Sequence, residues 1–281
     1  MFAAPPASAV TIFAAPTPQE YVSLGASTNS AGDGYNLVAR DARLTSVLLD
    51  AADQARIRYN VAGHYEVQIP GASWDPLVFY KGLANASPDH NFFQPSSYAQ
   101  NLATFIISRS RLDGYRFSEL ASWTKADIAA PYVGYVAFGE PTPPDAVPTV
   151  GRATFVGSLS NMVDITDFDY LYAGYYFIGL EGTITLTADF AARTLLGTLA
   201  LEMNRGGDQQ AVGIYAIAPI ALTSGMNRFS GLLVAEQSGY NAFEMVFTGP
   251  AAEESIGALA LPLTIDGQPH QLLGAWIAKR Q

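Results

Sequence analysis

From Thr183 to Phe190 the chain alternates strictly between hydroxyl or acidic residues and apolar ones. Ile184, Leu186, Ala188 and Phe190 fall on one face, and Thr183, Thr185, Thr187 and Asp189 on the other. A period of two belongs to a half-buried β-strand and to no helix. A second apolar run, Thr194–Leu201, returns after a short turn near 191–193, so the two form a hairpin. Similar runs at 151–158, 170–180, 211–219, 228–235, 242–248, 256–264 and 272–279 are separated by Gly-rich turns. About eight or nine short strands in a meander predict a barrel or sandwich, and closure would remove the edges that invite aggregation.

Ahead of this region, residues 139–148 carry four prolines, which end both helices and central strands. They mark a boundary between two halves. The expected organisation is an Ala/Pro lead-in at 1–20, a first domain at 21–138, a Pro-rich linker at 139–150 and a β-domain at 151–281. In the first half, Arg56–Val61 and His64–Ile69 flank Ala62-Gly63 and read as a hairpin. The segment 39–49 fits a short helix or a strand, 84–101 a long loop, and Ser118–Ala129 a short helix.

Composition sets limits on function. Of the 281 residues, 49% are apolar and only 14% charged, while aromatics reach 12%, so a core can form. A net charge of −10 disfavours nucleic acid and anionic lipid surfaces, which need a basic face. With no Cys, disulfides, thiolate nucleophiles and Cys-based zinc sites are excluded. No run of about 18 apolar residues would span a bilayer as a helix. The N-terminus has no basic segment ahead of an apolar one and does not read as an intact signal peptide.

Motifs for catalysis are sparse. The serine-hydrolase elbow, P-loop, dinucleotide fingerprint and H-E-x-x-H are all missing. Ser122–Lys125 matches S-x-x-K but lacks the companion motifs. His64, His90 and His270 have no zinc spacing. Asp164, Asp167 and Asp169 lack the Gly and distal Glu of a calcium loop. Glu253 and Glu254 are adjacent, so on a strand they face opposite ways and do not share a proton. Two aromatic clusters remain as binding candidates. Tyr170, Tyr172 and Tyr176 would share a strand face, each offering a rigid apolar body with a hydroxyl. His90, Phe92 and Phe93 sit in a Pro/Ser-rich setting that suggests a docking tip.

Four segments in chain order resemble transferrin-binding-protein-B-like bacterial surface lipoproteins. Gly151-Arg152-Ala153-Thr154-Phe155-Val156-Gly157 is similar to the family's entry strand G-x-A-T-[FY]-x-G. Asp189-Phe190 with Leu195-Leu196-Gly197-Thr198-Leu199 resembles its D-F-x4-L-x-G-x-L hairpin. Asn227-Arg228-Phe229-Ser230-Gly231 resembles N-x-F-x-G, and Phe247-Thr248-Gly249-Pro250-Ala251-Ala252-Glu253-Glu254 resembles F-x-G-P-x-A-x-E. Ser255-Ile256-Gly257 keeps only the second of the two glycines that usually follow. In the first half, Tyr59 to Val67 is like the family's Y-x-x-x-x-x-Y-x-V hairpin.

The resemblance implies a mainly β chain, a handle-like antiparallel β domain followed by an about eight-stranded antiparallel β-barrel. It implies a monomeric, non-enzymatic protein on the outer face of the outer membrane, held by lipid on a Cys just before residue 2. Such proteins capture a nutrient or protein ligand and often pass it to a TonB-dependent transporter. On that reading the ligand contacts are expected from 88–96 and 160–176, with His90, Phe92, Phe93, Tyr170, Tyr172 and Tyr176 foremost. No cofactor is expected. The alternative is a single-lobe haem-binding (haemophilin-like) protein, with haem as ligand on His90, His64, His270 or a Tyr.

Overall fold

A computed structural model describes the backbone of residues 19–31, 38–39, 43–45, 56–59, 64–68, 77–81, 91–95, 103–109, 114–125, 132–163, 180–205 and 208–281, and side chains at 114–122, 134–160, 180–203 and 209–281. The described elements are strands, apart from one short 3-10 turn at Pro144–Ala146. In the first half they are β1 (Gln19–Ala31), β2 (Val38–Ala39), β3 (Arg43–Thr45), β4 (Arg56–Tyr59), β5 (His64–Gln68), β6 (Leu77–Lys81), β7 (Asn91–Pro95), β8 (Ala103–Arg109), β9 (Ser118–Lys125) and β10 (Tyr132–Gly139). In the second half they are β11 (Arg152–Val163), β12 (Leu180–Asp189), β13 (Thr194–Arg205), β14 (Asp208–Ala221), β15 (Arg228–Gly231), β16 (Ala242–Thr248), β17 (Glu254–Ile265) and β18 (Gln268–Arg280).

The first ladder runs antiparallel from β4 through β10, each strand beside the next, and β1 pairs with both β4 and β10. It therefore returns on itself. Three expectations are refined here. The segment 39–49 contributes the short strand β3, paired with β1. Ser118–Lys125 is not helical but is strand β9, in register with β10 from Ser118↔Gly139 to Lys125↔Tyr132. The span 84–101 is not one loop, because β7 lies inside it and pairs with β6 and β8. β4 and β5 do pair antiparallel, with Tyr59 opposite Tyr65.

The second ladder has the order β14-β13-β12-β11-β18-β17-β16-β15, every pair antiparallel. Its two ends meet. Ala218 N–H donates to Leu232 O at 2.9 Å and Val234 N–H donates to Ala216 O at 2.7 Å, just beyond β15. These two bonds flank the pair Ile217↔Leu233 and close an eight-stranded barrel. The alternation read from the sequence holds: Ile184, Leu186, Ala188 and Phe190 are buried, and Thr183, Thr185, Thr187 and Asp189 are more exposed.

The interior is filled by side chains. Phe243 stacks on Trp276 with ring centroids 5.5 Å apart. At the other end, Phe155, Phe190 and Phe229 surround Phe247 at 5.5, 5.8 and 5.8 Å. Each such ring contributes on the order of 1.5–3 kcal/mol by burial. Asn227 ties this cluster to the Pro-rich segment. Its Nδ2 donates to Thr142 O and Phe247 O, and its Oδ1 accepts from Phe247 N–H. The segment is thus anchored: Thr142 N–H donates to Phe247 O at 2.9 Å, and Gly249 N–H to Glu140 O at 2.9 Å.

The outer faces of β16–β18 carry the contact with the first ladder. Tyr115, Leu120 and Ala137 pack on Val246, Ile256, Ala258, Ala260, Leu273, Ala275 and Ile277. Alanines there let the two sheets approach closely. β17 is consequently buried on both faces almost throughout, which explains its continuous apolar sequence. Polar locks rim this contact. The Glu254 carboxylate accepts the backbone N–H groups of Arg116 and Phe117, and the Ser118 and Thr248 hydroxyls share a hydrogen bond of 2.6 Å. Burial pushes the Glu254 carboxyl above the usual carboxylate range, and the two backbone donors only partly restore it.

Two outcomes follow. A Cβ on Gly157 would collide with the Ile277 carbonyl across β11–β18, so Gly157→Ala should destabilise the protein by about 3 kcal/mol in urea melts. The folded state binds the Glu254 proton more tightly than the unfolded chain. Its contribution is therefore fully present below the ordinary carboxylate pKa and is lost as pH rises through the raised one. Glu254→Gln should flatten that part of the stability–pH curve; an unchanged curve would contradict the assignment.

Candidate functional site

A packed barrel interior leaves the outer wall and the ends for ligand contact. The wall is not uniform. Where β17 and β18 face the first ladder it is covered, but on β13, β14 and the closing segment 232–234 it meets solvent. There, inward and outward residues alternate across the seam. Leu199, Ile217 and Leu233 point into the core. Ile214, Val234 and Leu232 point out and are 76%, 59% and 54% exposed. Ala216 and Ala218 lie between them on the closing ladder. Scattered exposed aliphatics are ordinary on soluble proteins; three large ones gathered at one seam form a surface suited to contact.

The sequence accounts for this local form. β14 has 14 residues, whereas β15 has four and the closing contact adds only the pair at Ile217↔Leu233. The closing ladder bonds end at Val234, while Ala235 still packs on the core. On the edge of this segment away from β14, the Asn241 Oδ1 accepts from Leu233 N–H at 3.0 Å and its Nδ2 donates to Leu233 O at 2.7 Å, replacing a neighbouring strand. The seam is therefore short, and the first half of β14 extends past it. Charge around this part is acidic. Glu181 and Glu202 are direct cross-strand neighbours on the outer wall, with Gln209 Nε2 donating to Glu181 at 3.2 Å. Burial raises the Tyr215 phenol pKa, and the Glu236 carboxylate raises it further, which puts Glu236 on the same side.

A second concavity lies at the aromatic end. A cavity of about 170 Å³ opens between the Pro-rich segment and the barrel, with Val147, Phe190, Leu222 and Phe229 as its apolar lining and Asp145 and Arg193 at its rim. Arg193 holds a left-handed backbone (φ 56) at the β12–β13 turn. That turn is organised by Asp189, whose Oδ1 accepts Ala192 N–H at 2.8 Å while Oδ2 pairs with Arg152 at 2.7 Å. These bonds hold the Asp189 carboxyl below its ordinary pKa. Val147 packs onto the core here, so the cavity is the margin of a plug.

The residues singled out from the sequence fall elsewhere. His90, Tyr170, Tyr172 and Tyr176 lie outside the described residues, as do Asp164, Asp167 and Asp169. Phe92 and Phe93 are in β7, opposite Ile106 and Phe105 in the ladder rather than at a loop tip; their side chains lie outside the description. His270 sits in β18 opposite Leu263. Ser122 lies in β9 opposite Tyr135, and the side chain of Lys125 lies outside the description. Among the described residues, no three His, Asp or Glu side chains gather to hold a metal ion. Sequence reading passed over the seam because Ile214, Leu232 and Val234 look like ordinary strand residues.

No protein-family model matches the chain, and neither does any curated protein. Solved structures do. The chain is similar to transferrin-binding protein B from Haemophilus parasuis Hp5, at 14% identity and TM-score 0.47 over 92% of this chain and 45% of that one. It is similar to the protein of the same name from serogroup B Neisseria meningitidis, at 14% and 0.46 over 92% and 43%. A third is the N-lobe domain of lactoferrin-binding protein B of Moraxella bovis, at 15% and 0.45 over 92% and 99%. The chain thus spans less than half the length of the first two.

The exposure of the seam has a direct consequence for stability. Ile214→Ser and Val234→Ser remove side chains that meet mostly water, so each should shift the urea midpoint by no more than about 0.5 kcal/mol equivalent. A loss of several kcal/mol in either would mean that the seam is covered.

Proposed function

We propose that this chain is a non-enzymatic, cell-surface ligand-binding protein in which the two joined β-ladders act as a rigid holder. The exposed apolar seam of Ile214, Leu232 and Val234 carries this reading, because a cluster of that kind stabilises a complex by leaving water. Rigidity supports it as well. The covered faces of β16–β18, the Glu254 lock and the Asn227 anchor hold the binding wall without help from a ligand, which lowers the ordering cost of association. Anchorage by lipid at the outer membrane and transfer to a TonB-dependent transporter belong to the same reading, as expectations from the family that the sequence resembles.

The similar solved structures are named for binding transferrin and lactoferrin, so these are the first ligands to try. In surface plasmon resonance with the full chain immobilised, one of iron-loaded transferrin, lactoferrin or haemin should bind with a Kd in the micromolar range or tighter. Paired Ile214→Lys and Val234→Lys changes should weaken a protein ligand at least tenfold while the melting temperature stays within a few degrees. A bound ligand indifferent to both changes would move the site off the seam.

A further inference from the structure

The seam is one border of a wider surface. On the outer wall of β12, β13 and β14 the register sets side chains in rows. Thr183, Ala200 and Ile214 form one row. Thr185, Thr198 and Ala216 form the next, and Val234 extends it, because its N–H donates to Ala216 O. A third row holds Thr187 and Leu196, with Leu232 at the seam. Each of these residues is exposed or half-buried, and none is charged. Most are short or β-branched, so covering them costs little rotamer freedom. The molecule already uses such a wall once: on β17 and β18, Ala258, Ala260 and Ala275 among aliphatic residues receive the first ladder. At the border toward the end of β13, Glu181 and Glu202 stand directly opposite each other. Gln209 donates to Glu181, and Glu202 has no partner among the described residues. Like charges directly opposite on a sheet are destabilising. At the far end of the wall the Asp189 carboxylate is already held by Arg152 and by Ala192 N–H.

We propose that this wall docks a partner protein that lays an uncharged face with an apolar centre on the Thr/Ala rows and sets a basic side chain between Glu181 and Glu202. The inference names the partner of the seam and so rests on the reading above. Area brings the carboxylate row into the contact. Four strands about 4.8 Å apart, with five residues along each at about 3.4 Å, give roughly 300 Å². A stable complex covers about 800 Å² on each partner. The interface must therefore run past the uncharged rows, and Glu181–Glu202 is the border where charge stands unbalanced. A cation there relieves the repulsion between the two carboxylates. Loss of water from the neighbouring apolar residues strengthens that pairing. A second copy of this chain is the disfavoured occupant, because it brings a net charge of −10 and the same two carboxylates to the contact.

The test titrates the full chain, by surface plasmon resonance, with iron-loaded transferrin and lactoferrin, each native and with its lysines succinylated. At least one native protein should bind, and succinylation should weaken that complex at least tenfold. Glu181→Lys with Glu202→Lys should do the same, as should Thr198→Arg, which fills the centre of the wall. Glu181→Gln with Glu202→Gln leaves the bulk of the wall unchanged. It should weaken binding at least threefold, while the melting temperature of the free chain holds or rises. Val150→Arg, at an exposed position on the Pro-rich segment, should change affinity less than twofold. Near-ultraviolet circular dichroism checks that each variant keeps the fold. A complex indifferent to the glutamate changes and to succinylation overturns the inference. So does one that Val150→Arg weakens as much as Thr198→Arg, or a dimer of the free chain in sedimentation that Thr198→Arg dissolves. Binding of haemin with neither protein bound removes this inference and leaves the broader reading standing; binding of none of the three removes both.

Discussion

Phe247 is the node on which the barrel and its attachments depend. Its ring is surrounded by Phe155, Phe190 and Phe229, which come from β11, the end of β12 and β15. Its backbone is held by Asn227 and by the Thr142 amide. One residue thus joins three parts of the barrel wall to the Pro-rich segment. The four sequence segments that resembled a known family each supply one ring to this cluster. Their wide spacing in sequence and convergence in space have the same cause: an aromatic end-plug must draw from strands all round a closed wall.

The second constraint is the doubly buried pair β17–β18. One face fills the barrel and the other meets the first ladder, so neither strand can show the alternation that marks β12. Small residues, Ala258, Ala260 and Ala275, allow the close contact. The barrel consequently has a covered side, and the β13–β14 seam is left facing water. Position of the exposed wall is in this sense a by-product of how the two ladders join.

Legibility followed the surroundings of each strand. β12 was readable because one face is wet and one is dry. β9 was not: Ser118, Glu119, Leu120 and Ala121 are all buried, so the pattern resembled a helix start until β10 was beside it. β7 was hidden by the Pro and Ser around Phe92 and Phe93, and its pairing with β6 and β8 is not a local property. Glu254 shows a related limit. No local signal announced that its carboxylate receives two amides from more than a hundred residues away.

The sequence alone determined that the second half is built of short antiparallel strands, as a barrel or a sandwich, because period-two alternation and glycine-marked turns are properties of adjacent residues. Phe155, Phe190, Phe229 and Phe247 each sit in a local frame visible in the sequence, but their meeting in one cluster is a property of the tertiary structure. Which side of the barrel is covered, where the ladder closes and how much of β14 is left beyond the closure were decided only by the tertiary structure. Those outcomes depend on strand lengths and on contacts between segments distant in the chain, and local periodicity carries no record of either.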